Sequence, residues 1–131
     1  MAGFVSRINV ALNGIEMVVG CEIGSPFIIR HPVGIVVGHK VTAGSKITIM
    51  QGVTIGQLSF EGDTEKASGN PKLGDNISLG AYSIILGNIS IGSGAIVGAG
   101  TFLNKNLPEN HLAKGNPAQI KPINLSPNAN S

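Results

Sequence analysis

From Leu73 onward an aliphatic residue returns every six positions: Leu73, Leu79, Ile85, Ile91, Val97 and Leu103. Four places after each stands a second small or aliphatic residue, namely Ile77, Ser83, Ile89, Ala95, Thr101 and Leu107. The same frame runs upstream through Val37, Ala43, Ile49 and Ile55, with Val41, Ile47 and Val53 four places on. Earlier still it reads Met17, Ile23 and Ile29, accompanied by Cys21, Phe27 and Val33. An amphipathic helix has a period of 3.6 and a half-buried strand a period of two, so neither gives six. A hexad holds one short strand and one turn, with the aliphatic residue inward and glycine or a small polar residue at the corner. A single hexad cannot bury its apolar side, whereas stacked hexads can. The pattern therefore predicts an all-β solenoid, a parallel β-helix whose core is built from these positions. Three hexads make one coil of triangular section.

Two interruptions break the frame. Between Ile29 and Val37 the spacing is eight instead of six, so two extra residues bulge around His31-Pro32-Val33-Gly34. Between Ile55 and Leu73 a polar stretch replaces the repeat, which predicts a loop inserted over residues 57–72. A loop of that length inside a compact repeat is commonly functional or disordered. Upstream, Val5, Ile8 and Leu12 share one helical face and Gly14 suits the end of a helix, so residues 1–14 are expected to cap the solenoid with a short helix. The β-helix is expected over 15–123, and 124–131 to form a disordered tail.

Composition narrows the function classes. Glycine makes up 19 of 131 residues and charged residues 12%, with no Trp and one Tyr, which suits a β solenoid better than a helical bundle. The net charge of +2 is spread over scattered basic residues and lacks the footprint of a nucleic-acid binder. No apolar run approaches a membrane span and no signal peptide opens the chain, so a cytoplasmic protein without membrane insertion is expected. The single Cys21 excludes an internal disulfide and reads as a small core residue. His31, His39 and His111 lack the spacing of a zinc site, so no metal is expected.

The hexads, the His31–Gly38 segment, Gln51-Gly52-Val53-Thr54-Ile55-Gly56 and Ile85-Leu86-Gly87-Asn88-Ile89 together resemble the serine acetyltransferases. That branch of the hexapeptide-repeat acyltransferases has a left-handed β-helix. The resemblance covers about residues 15–120 and implies a homotrimer with active sites between subunits and acetyl-CoA as acyl donor. It places His31 as the general base that takes the acceptor hydroxyl's proton, a role suited to imidazole. Glu16 occupies the position of the family's partner aspartate, fifteen residues upstream. Ala81 and Ala99 fall on small residues along which the donor lies, and Gln57 replaces a glycine near the thioester. Lys114, beside the closing Gly115-Asn116-Pro117-Ala118, is implied as a phosphate partner for the donor, with Lys121 near it.

The acceptor side departs from the family pattern. Arg30 stands where the family has an acidic residue before the histidine, His39 where it has a second one, and Gly69-Asn70 where it has an Arg-His pair. These three places, Arg30, His39 and Asn70, are the expected acceptor-binding positions. An amino-acid ammonium beside Arg30 would be repelled, and the carboxylate clamp is missing. The sequence therefore favours an acetyl-CoA-dependent O-acetyltransferase acting on a small-molecule or glycan acceptor, a sugar or surface-polysaccharide precursor. The alternatives are a serine O-acetyltransferase with a rebuilt pocket and, from another class, an inactive trimeric β-helix serving in binding or assembly.

Overall fold

The computed structural model describes residues 14–17, 22–58 and 69–124, and these form a left-handed β-helix without any helix among them. Three parallel sheets make its three faces. Sheet I stacks β1 (Ile15–Met17), β4 (Ile35–Val37), β7 (Thr54–Gly56), β10 (Ile84–Leu86) and β13 (Phe102–Leu103). Sheet II stacks β2 (Glu22–Ile23), β5 (Thr42–Ala43), β8 (Lys72–Leu73) and β11 (Ser90–Ile91). Sheet III stacks β3 (Phe27–Ile29), β6 (Ile47–Ile49), β9 (Ile77–Leu79), β12 (Ile96–Val97) and β14 (His111–Lys114). The chain passes from sheet III to I to II and back, one strand per face, so every crossover is a corner. The expected capping helix, Cys21, the middle of the inserted loop and the tail from residue 125 lie outside the described residues.

Strand register reports the length of each coil. Val36 pairs with Thr54 and Ile84 with Phe102, both 18 residues apart, as three hexads require. Glu16 pairs with Val36 at 20, because the corner at 31–34 holds two more residues. Thr54 pairs with Ile84 at 30, because the loop after β7 adds twelve. Both insertions leave the stacking intact since they bulge at corners and the strands on either side keep their register. The last coil is two residues short instead: Ile96 pairs with Leu112, and the chain cuts directly from Leu103 to Leu107.

The inward positions of the hexad frame form one continuous core. Val37, Ile47, Ile49, Val53, Ile77, Ile85, Ala95, Val97 and Leu103 are fully shielded from solvent, each touching its counterparts on neighbouring coils. Removing this aliphatic surface from water supplies the main stabilisation, about 25 cal/mol for every Å² buried. Val33 corrects the sequence reading. The hexad frame places it inward, yet it is 65% exposed, while Ile35 takes the core place at 1%. The two-residue bulge shifts the frame, so six residues after Ile29 comes Ile35. Inward Thr101 meets its polar need by accepting from Gly115 N–H at 3.3 Å and reaching the Ala113 carbonyl at 3.5 Å.

The III–I corner has a repeating backbone geometry. Gly14, Gly34, Gly52 and Gly100 take φ values of 65, 69, 70 and 69°, left-handed conformations in which a side chain is disfavoured. On the coil between Gly52 and Gly100 the same place is held by Tyr82, at φ 59°. Beyond β14 the chain reverses through Gly115–Ala118, and β15 (Gln119–Pro122) returns antiparallel along β14. The hexad frame did not foresee this hairpin.

Candidate active site

The predicted site residues fall on two corners of the triangle. At the III–I corner, β3 ends at Ile29 and Arg30 follows, its N–H donating to Ile49 O at 2.8 Å. His31 comes next in a left-handed conformation of φ 56°, and its carbonyl accepts from Val33 N–H at 2.7 Å. The inserted pair of residues is what creates this tight turn. Both Arg30 and His31 are exposed.

Further along the same corner the rungs are Val33, Gln51, Ala81 and Ala99. Gly52 N–H donates to Val33 O, Tyr82 N–H to Gln51 O and Gly100 N–H to Ala81 O, at 2.8, 2.9 and 2.8 Å. Ala81 and Ala99 therefore sit one coil apart on one edge, with only methyl groups between the backbone and solvent. Lys114 continues this edge at the end of β14, since a Cβ on Gly98 would lie 3.4 Å from its Cβ. Its neighbour Lys121 on β15 is held below the usual lysine pKa, chiefly by a hydrogen bond with Lys114 and by that residue's charge.

Glu16 stands on the flat of sheet I, exposed, paired with Val36 of the next coil. His31 opens the corner that leads into that coil. Among the described residues no hydrogen bond or ion pair joins the two side chains.

The other three residues gather at the I–II corner. Gly38 lies against Gly56, where an added Cβ would stand 3.2 Å from the Gly56 Cα, so His39 and Gln57 follow on adjacent coils. Pro71 O accepts from Thr42 N–H at 3.3 Å, which seats Asn70 beside the His39–Lys40 turn. The structure thus brings Arg30, His31, Ala81, Ala99 and Lys114 to one corner and His39, Gln57 and Asn70 to another. Sheet I, roughly 10 Å wide at ~3.3 Å per residue, separates them. Among the described residues no group of three or more His, Cys, Asp or Glu is placed to hold a metal ion, and no helix is long and apolar enough to cross a membrane.

Residues 70–105 match the family described as bacterial transferase hexapeptide (six repeats). Serine acetyltransferase 2 of Arabidopsis thaliana is 39% identical over 108 residues, 82% of this chain and 32% of that protein. The serine acetyltransferase of Staphylococcus epidermidis is 36% identical over 119 residues, 91% of this chain and 54% of the relative. Among solved structures, the serine acetyltransferase of Neisseria gonorrhoeae superposes with a TM-score of 0.86 at 31% identity, over 95% of this chain and 46% of that one. Soybean serine acetyltransferase complexed with serine gives 0.84 at 32%, over 92% and 48%. Over most of its length the chain is therefore similar to the serine acetyltransferase branch of the hexapeptide-repeat proteins. It spans about a third to a half of the length of the curated relatives it matches.

In this serine acetyltransferase-like chain the structure adds two corner residues to the site positions that the sequence assigns. Tyr82, the one tyrosine, is 64% exposed, and its ring lies across Gly52 so closely that a Cβ there would collide with ring carbons Cδ1 and Cε1. Gln51, beside it on the ladder, has a buried Oε1 without a hydrogen-bond partner. Hexad periodicity reports inward positions only, so it singles out neither. The Leu-Gly-Asn-Ile stretch also gains a physical role: Gly87 passes Leu58, and the Asn88 side chain lies against Gly69, so the two ends of the loop close on the I–II corner. A cavity of about 340 Å³ opens there, between Leu58, Gly87–Ile89 and Asn104–Asn106, where the short last coil cuts inside the one before it.

Proposed function

We propose that this chain is an acetyl-CoA-dependent O-acetyltransferase with His31 as general base. The observation that carries the reading is the placement of an exposed histidine, held in a left-handed turn made by a two-residue insertion, on the same edge as the bare rungs Ala81 and Ala99. In this reading the donor lies along those rungs, with its phosphates toward Lys114. The acceptor hydroxyl gives its proton to the His31 imidazole as its oxygen attacks the thioester carbonyl carbon. The C–S bond then breaks, and the leaving thiolate takes the proton from the imidazolium. Glu16, on sheet I, is the carboxylate that the resemblance pairs with this histidine.

His39, Gln57 and Asn70 complete the site only if a second copy presents its I–II corner to the III–I corner of the first. A homotrimer with active sites between subunits satisfies this, and a monomeric mass by light scattering would refute it.

For the acceptor, the names of the relatives support serine ahead of a sugar. The sugar reading is kept because Arg30, His39 and Asn70 offer no carboxylate for an ammonium at the three places where the family reads its amino acid. CoA release from acetyl-CoA with L-serine and with a panel of sugars tests both, with His31→Ala as the blank. Loss of the ~10²–10⁴-fold contribution of a general base, with acetyl-CoA affinity retained, is the expected result. Wild-type turnover in His31→Ala would remove the assignment.

A further inference from the structure

We propose that Tyr82, with Gln51 beside it, forms a platform for the ring of a pyranose acceptor. The inference rests on the acyl-transfer reading and deepens its sugar-acceptor form. Among the described residues, four of the five equivalent left-handed positions of the III–I corner are glycine, as that backbone favours, and the fifth, Tyr82, carries the largest side chain on that edge. Tyr82 adds nothing to the core, since it stands 64% exposed. One side of its ring, Cγ, Cδ1 and Cε1, lies against Gly52, whose missing side chain makes the room.

The direction of the ring sets its use. From Tyr82 it extends to the Gly52 coil, one coil nearer to Gly34 and the His31 turn, and coils are spaced ~4.8 Å apart. The rest of the ring is open to solvent and available to a ligand whose hydroxyl is presented to His31. A pyranose suits such a surface: its C–H face packs on an aromatic ring while its hydroxyls need polar partners. Gln51 stands beside the ring with a buried Oε1 that has no partner among the described residues, an acceptor that a hydroxyl entering there would satisfy. Serine has no ring face to lay on Tyr82.

The test uses the whole chain and L-serine, methyl pyranosides and acetyl-CoA as separate probes. Tyr82 is the sole tyrosine, so its ring gives the one tyrosine NMR signal set. Pyranosides are expected to shift that set and L-serine to leave it unmoved. In kinetics, Tyr82→Gly, the residue the backbone prefers, is expected to raise the KM for pyranosides about tenfold, with Tyr82→Phe near wild type and the KM for acetyl-CoA unchanged.

A ring signal that answers to acetyl-CoA and not to pyranosides overturns the proposal, as does a Tyr82→Gly variant that changes the oligomeric mass. Ring shifts with pyranosides but no acetyl transfer would uphold the platform and reject the acyl-transfer reading. Transfer to pyranosides with a silent ring and an unchanged KM in Tyr82→Gly would do the reverse. A ring silent to every pyranoside in a protein that acetylates serine overturns the platform alone.

Discussion

Asp75 Oδ1 accepts the backbone N–H of Ser45 at 2.8 Å, joining corners of coils 30 residues apart in sequence. Asp75 N–H in turn donates to Ser93 Oγ at 2.9 Å on the next coil. Side chains thereby carry the hydrogen-bond ladder around the II–III corner, where the strands have stopped. Asp75→Ala should cost about 1 kcal/mol, the net worth of one such bond, and Asp75→Asn less because its amide oxygen still accepts. Chemical denaturation of both variants checks the order, and equal loss would show that the carboxylate serves in another way.

Gly52 and Tyr82 should be energetically coupled. Gly52→Ala meets two obstacles, a φ of 70° and the Tyr82 ring. A loss of about 2 kcal/mol or more is expected, combining left-handed strain of ~1–2 kcal/mol with a displaced aromatic. In the Tyr82→Gly background only the backbone part should remain. Additive losses in a double-mutant cycle would mean that the ring gives way freely.

Ile85 fixes the expected price of damage to the core. It is completely buried at mid-stack, with strands of sheet I on either side at Ile55 and Leu103. Ile85→Ala should destabilise by about 2–5 kcal/mol, since a rigid coil collapses poorly around a cavity. Ile96→Ala, at an outward position on β12, should cost the isolated chain far less. Comparing thermal midpoints of the two variants checks the inward frame.

The Lys114–Lys121 pair should leave a pH signature. Lys121 has a lower pKa folded than unfolded, so between the two values the unfolded chain binds more protons. Stability should therefore rise as pH climbs toward 10.5, where the like-charge repulsion is relieved. Lys114→Gln removes the cause, raising the thermal midpoint slightly at neutral pH and flattening its climb. Both groups are exposed, so added salt should shrink the effect, and a midpoint that falls over this range in the wild type alone would contradict the sign.

The core was legible from the sequence because burial in a coil recurs at fixed spacing. Ile47, Ile77 and Leu103 could be placed inside by counting alone. Val33 could not, since an insertion resets the count and the sequence does not say on which side of it the frame resumes. The division of the site was hidden for a related reason. His31 and His39 are eight residues apart, yet one strand of sheet I lies between their corners, and which corner a residue occupies depends on the path of the whole coil. Tyr82 was hidden because outward corner positions have no period. Its signal is the tyrosine standing where glycine recurs, visible only after the rungs are aligned.

The hairpin closing sheet III has a consequence for growth of the stack. A parallel β-helix ends in open strand edges on which another copy can add, which is the geometry of a fibre. On sheet III, β15 runs backward, so the next edge no longer matches the direction of β14. That edge also carries Lys121 and ends in Pro122, which has no N–H to offer a further strand. On this face the C-terminal reversal turns a shape that invites endless addition into one that stops.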